Sequence, residues 1–217
     1  MPSLLLSRRD LDFLLHEWLD VCALTTRERY GEHSRQTFDA VLDLAEQIAT
    51  RDFAPHNRRS DNEEPVFDGE RITMHDEIGK ALRKYIDAGL IGAGMDHAVG
   101  GMQLPSVVCQ ALMAWFQAAN ASTSSYPFLT VGNANLLLAH GSPEQVETYV
   151  TPMVEGLFFG TMCLSEPQAG SSLADVTTRA EPQPDGSFRL FGNKMWISAG
   201  DHDLSDNIIH LVLAKVP

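Results

Sequence analysis

The chain has 217 residues, of which 44% are hydrophobic, and carries a formal net charge of −13. That length and apolar content suffice for a buried core, in one large domain or two small ones. The acidic balance excludes a phosphate-neutralising nucleic-acid binder, because the basic pairs Arg8-Arg9 and Arg58-Arg59 are short and closely followed by acids. It leaves room for a phosphate-bearing small molecule, which backbone amides, helix N-termini and a few cations can hold.

Cys22, Cys109 and Cys163 are odd in number and lie in apolar stretches, as buried thiols of a reducing compartment do, not as a disulfide framework. No window reaches the ~18 to 20 apolar residues that cross a bilayer. Leu4-Leu5-Leu6 is too short for a signal sequence, and Asp10, Asp12, Glu17 and Asp20 are wrong for an acid-poor transit peptide. The protein is therefore read as cytoplasmic and without a membrane span.

In chain order, the apolar pattern is helical as far as about residue 155. Ser7 with Asp10 caps a first helix bearing Leu11, Leu14, Leu15 and Trp18 on one side. Ser34 starts a second, with Phe38, Val41, Leu42, Ala45, Ile48 and Ala49 as one continuous stripe. Residues 54–69 are polar, with two prolines, and read as a long mobile or binding loop. Thr73 with Asp76 restarts a helix through Ile78, Leu82 and Ile86, which Gly89 ends. After the glycine-rich stretch 89–101, residues 107–119 and 128–139 read as two buried helices. Ser142-Pro143-Glu144-Gln145 combines a cap, a first-turn proline and a capping-box partner, so a short helix follows.

Beyond Gly156 the period changes to that of strands, with candidates at 158–164, 176–180, 188–190, 195–197 and 208–214 and a hairpin turn at Asp185-Gly186. Helices first and strands afterwards predict an α+β fold: an N-terminal all-α helical domain over 1–155, then an incomplete antiparallel β domain over 156–217.

Two segments carry chemistry. Met162–Ser172, MCLSEPQAGSS, is an apolar run that stops at Ser-Glu-Pro and opens into small and hydroxyl residues, a loop that can approach a ligand closely. Lys194–Gly200, KMWISAG, brackets Ile197 with an indole and a hydroxyl. In an extended strand Trp196 and Ser198 would then face the same way. Each residue also has a plain reading: Trp196 as ordinary core, Ser165 and Ser171 as turn residues, Glu166 before a proline as a structural loop residue.

Rival motifs fail on single residues. Gly92-Ala93-Gly94 would need a third glycine at 97, where His97 stands. Asp201, Asp203 and Ser205 begin like a calcium loop, but Asp206 replaces its glycine and Val212 its last acid. His16-Glu17 lacks the second histidine of a zinc-protease helix, and no metal site is expected.

In this order and spacing the two segments resemble the acyl-CoA dehydrogenase family of flavoenzymes, whose middle domain has a Thr/Ser-Glu-Pro-x-Ala-Gly-Ser loop and a later Lys-x-Trp-Ile-Thr/Ser segment on either side of the flavin. The spelling from Ser198 to Leu204 resembles the longer branch that includes 3-methylmercaptopropionyl-CoA dehydrogenases. The resemblance implies FAD as cofactor. Met162, Leu164 and Ser165 would line the ring, Trp196 and its neighbour Ile197 would pack beside it, and Ser198 would bond a flavin nitrogen or carbonyl. Ser171 would contact the acyl-CoA substrate. Met162 stands where many relatives have an aromatic residue, serine replaces threonine at 165 and 198, and Ser172 replaces a common aspartate. The resemblance also implies a homo-oligomer that passes electrons to an electron-transfer flavoprotein. It places the catalytic glutamate in a C-terminal helical domain, so the base is expected beyond residue 217 and this chain alone is expected to be weak or inactive. The alternative from another class is a non-catalytic helical interaction or acyl-binding module that keeps the motifs as folding elements.

Overall fold

A computed structural model describes residues 4–216. Helix α1 (Arg8–Asp12) begins at Ser7, whose hydroxyl accepts from the Asp10 amide, and a π-helical turn continues it over Phe13–Trp18. Helix α2 (Arg35–Ile48) starts in a complete Ser34/Thr37 capping box, which satisfies two of its free amide donors. Its expected stripe is buried throughout, from Phe38 to Ala49. Residues 54–69 are more ordered than a loop: they hold α3 (Asn57–Asn62) and strand β1 (Val66–Phe67), which pairs antiparallel with β2 (Ile72–Thr73). Thr73 therefore lies in a strand, and helix α4 (Asp76–Asp87) is entered at His75.

Helix α5 (Ser106–Ala119) is apolar nearly all round because it lies between α2 and α6. Helix α6 (Ala121–His140) starts seven residues before its expected first turn and runs through Pro127. The reason is Asn120, whose side chain accepts from the Thr123 amide and supplies a cap ahead of the proline. Ser142 and Gln145 form the expected capping box for α7 (Pro143–Gln145), and α8 (Thr151–Val154) closes the helical region. The centre of the core is aromatic. Phe116 meets Phe53 and Tyr85 edge-on, each at 4.8 Å between ring centroids, and all three are fully buried.

The longer strands follow the helices, in keeping with the α+β expectation, but the region expected to be all-α is interrupted by the short β1–β2 hairpin. The sheet differs in one respect, for β3 (Phe158–Cys163) and β6 (Asn207–Val212) run parallel, not antiparallel, with Phe158 opposite Asn207 and Cys163 opposite Val212. The chain between them is long enough for a parallel crossover and itself contains an antiparallel hairpin, β4 (Arg179–Pro182) with β5 (Phe188–Phe191), turning at Asp185-Gly186. Helix α6 packs on β3, and close approach requires Gly160, where a Cβ would lie 2.6 Å from Asn133 Cβ. The Asn133 amide group spans both strands, donating to the carbonyls of Thr161 at 3.2 Å and Ile209 at 2.7 Å.

Candidate functional site

The two sequence segments meet through a buried ion pair. Strand β3 ends at Cys163, and the chain then turns Glu166 inward to a position where its side chain is 1% exposed. Lys194 Nζ stands 2.9 Å from Glu166 Oε1 and donates to the Leu164 carbonyl at 2.9 Å. The Met195 amide donates to the Ser165 carbonyl at 3.1 Å, so backbone 164–165 lies directly against 194–195.

Glu166 collects further donors. The Thr177 amide and hydroxyl each reach Oε2 at 2.8 Å, the Gln168 amide group reaches it at 2.6 Å, and the Thr178 amide reaches Oε1 at 2.9 Å. Burial works against its charge, but the donors at Thr178 and Thr177 and the Lys194 ammonium outweigh burial and hold the carboxyl far below the usual carboxylate range. A carboxylate held ionised at neutral pH with all its donors in place is a poor proton acceptor. Glu166 is a structural hub, in line with the loop reading. These bonds also explain why the strand expected from Val176 begins only at Arg179: the amides of Thr177 and Thr178 serve the carboxylate in place of a ladder.

Residues 195–197 do not form the expected strand. Trp196 and Ala199 have left-handed backbone, φ 59° and 54°, and Ser198 sits in a turn. Strict alternation is lost, because this stretch is held by Lys194 and the Met195 amide and not by a ladder. The consequence for the site is nonetheless exposure of both groups: the indole of Trp196 is 75% exposed and Ser198 is exposed. Ile197, half-buried, turns to a second cavity of about 320 Å³, whose walls include Cys163, Thr178 and His210. Leu164 and Ser165 are half-buried beside the pair, and Ser171 is exposed on the far part of the loop. No atom lies within 4 Å of where a Cβ at Gly170 would stand, so the small-residue loop faces open space.

Met162 links this surface to the larger cavity, of about 490 Å³. Its side chain and Thr161 form one wall, α5 contributes Leu112 and Met113, and α6 contributes Phe128 and Gly132. That size and apolar lining suit a small organic ligand. Cys109 also lines it, and burial pushes its thiol up to about 11, so it is protonated and unreactive at neutral pH.

The residues fit a flavin in character: they offer a hydroxyl at 165, another at 198, an exposed indole at 196 and an exposed methionine at 162. Sequence reasoning singled these residues out as candidates and missed two features. One is the cavity, whose walls come from helices far away in the chain. The other is the Glu166–Lys194 pair, signalled only by a charged residue in each motif. The structure also brings Asp12, His16 and Asp39 within 4.8 Å of one another, which no histidine spacing announced. The Arg8 guanidinium bonds Asp12 at 3.0 Å and lies 3.9 Å from Asp39, so a cation of the chain itself offsets these two carboxylates. Among the described residues no helix is long and apolar enough to cross a membrane.

Residues 35–157 match the family model described as acyl-CoA dehydrogenase, N-terminal domain. The chain is 35% identical over 212 residues to a 3-methylmercaptopropionyl-CoA dehydrogenase of Ruegeria pomeroyi, covering 96% of this chain and 36% of the relative. It is 31% identical over 214 residues to a butyryl-CoA dehydrogenase of Syntrophomonas wolfei, covering 96% and 35%. The chain thus spans about a third of the length of these relatives. In fold it is similar to an acyl-CoA dehydrogenase complexed with FAD from Bacillus anthracis, with a TM-score of 0.69 and 21% identity over 86% of this chain and 29% of that one. With a family model matched over more than half its length, the chain belongs to the acyl-CoA dehydrogenase family.

Proposed function

We propose that this chain supplies the helical domain, residues 1–155, and the first half of the flavin-binding β domain, 156–217, of an FAD-dependent acyl-CoA dehydrogenase. The observation that carries the reading is the position of Met162. It heads the flavin-loop motif and also forms a wall of the 490 Å³ apolar cavity, so a flavin edge and an acyl chain would come together at one residue.

FAD, when bound, supplies the acceptor for hydride from the acyl β-carbon. The chain's own residues place and shield the partners. Met162 and Leu164 offer an apolar edge, and Trp196 an aromatic wall. The hydroxyls of Ser165 and Ser198 are donors toward ring heteroatoms, where negative charge gathers on reduction. Ser171 contacts the acyl-CoA, and α5 and α6 exclude water around the acyl chain. Glu166, held ionised by its donors, takes no part in moving a proton, and no base is assigned among these residues. A homo-oligomer and an electron-transfer flavoprotein as acceptor follow from the family reading.

Titrating FAD into the 217-residue chain tests this. The expected result is saturable quenching of flavin fluorescence, weakened roughly tenfold in Trp196→Ala by loss of one stacking contact. A chain that leaves flavin fluorescence unchanged at every concentration sinks the proposal.

A further inference from the structure

The stretch 194–200 is clamped at its start by Lys194 and Met195, and the grip at its other end comes from the three residues His202-Asp203-Leu204. His202 is 7% exposed. Its Nδ1 accepts from the Leu204 amide at 3.2 Å, which leaves the ring proton on Nε2. That Nε2 is buried without a conventional acceptor. The ring instead meets Tyr126 of α6 at 5.2 Å and Phe159 of β3 at 5.6 Å, edge to face in both cases. On its flank the Asp203 carboxylate accepts from the Met74 amide at 3.1 Å, just before α4, and Leu204 packs against the core at Gly79. One short segment thus ties the loop to β3, α4 and α6 together.

We infer that His202 is a positioning residue for the flavin-facing loop: its ring, wedged between Tyr126 and Phe159, fixes where Trp196 and Ser198 stand. The inference rests on the flavin reading for its functional sense. The physical reason is the backbone of the loop itself. Within the loop two residues have left-handed φ and there are no ladder bonds, only the turn bond from the Gly200 amide to the Ile197 carbonyl at 3.1 Å and the packing of Ala199 on the core, so the anchors at its two ends add the remaining restraint. Burying an imidazole N–H without an acceptor is costly, and the ring contacts with Tyr126 and Phe159 are what it gains in return. The neutral ring is the state that fits, since burial lowers its affinity for a second proton despite Asp201 and Asp203 nearby.

Two variants separate the ring from the acceptor. His202→Asn keeps an acceptor for the Leu204 amide in an Asx-type turn and removes the ring; His202→Phe keeps a ring and removes the acceptor. Asp203→Ala, at an exposed position, removes the neighbouring anchor and serves if either histidine variant fails to fold. FAD affinity is read by fluorescence titration of the full chain. Chymotrypsin cleavage after Trp196, without FAD, reads the loop directly. The expected result is a loss of FAD affinity of roughly tenfold for His202→Asn, the worth of about one contact, with faster cleavage at Trp196. The comparison variant is Ser34→Ala, which lowers the melting temperature through a distant helix cap and is expected to leave both readouts unchanged. Unchanged affinity and cleavage in all three loop variants overturn the inference, as does an equal loss in Ser34→Ala. If the wild-type chain binds no FAD, the flavin reading falls. The cleavage rates then decide His202 alone: faster cutting in the variants supports the clamp, and equal cutting overturns it.

Discussion

Lys194 Nζ lies 2.9 Å from Glu166 Oε1, with both side chains largely withdrawn from water, and this pair is the ionic link between the two motifs that face the proposed flavin. A buried pair of this kind gives little net stability when intact, but removing one partner strands the other. Lys194→Met leaves a carboxylate without its cation, and Glu166→Gln turns an amide N–H₂ toward donors at Thr177 and Thr178. Each variant is expected to lower the melting temperature more than Lys215→Met on the surface. The double variant is expected to lose less than the sum of the two, because they act on one network. A thermal double-mutant cycle measures this, and additive losses would contradict it.

The aromatic centre of the helical region sets a second expectation. Phe116 is fully buried against Phe53 and Tyr85. Phe116→Ala opens a cavity there and is expected to cost about 3–5 kcal/mol of unfolding free energy. Urea denaturation gives the value directly, and a loss within that of an ordinary surface substitution would mean that these three rings do not hold the core.

Acid should destabilise the chain in two stages. His56 is buried, with Nδ1 donating to the Asp52 carbonyl and Nε2 paired with Thr123 Oγ1, a pattern that satisfies the neutral ring. Burial lowers its affinity for a proton, outweighing the Asp52 carbonyl and Glu77, and burial does the same for His202. Each histidine therefore contributes stability that is present above its ordinary value of 6.5 and is lost as pH falls below it, because the unfolded chain takes up the proton first. Glu166 follows the carboxylate rule: its contribution is present above the ordinary 4.5 and is lost at lower pH. Melting temperatures recorded against pH are expected to be level above 7, to fall below about 6.5 and to fall again below about 4.5. His56→Gln should weaken the first fall and leave the second. A single transition near pH 4 alone would contradict the histidine assignment.

The sequence by itself determined the local structure and the chemical character of the site. The helix start at Ser34, the capping box at Ser142, the stripe from Phe38 to Ala49 and the turn at Asp185-Gly186 are all present, because each depends on residues a few positions apart. The same locality made the two motifs legible as a hydroxyl loop and an indole segment. Tertiary structure decided the rest. The parallel pairing of β3 with β6, the helical start at Asn120 ahead of Pro127, and the left-handed backbone at Trp196 each depend on partners or caps that a period-two or period-3.6 pattern does not encode. The cavity beside Met162 has walls from α5, α6 and β3, and the carboxylate of Glu166 draws its donors from residues 168–194. Hydrophobic periodicity fixes which face of an element is buried, but only packing decides what that face meets.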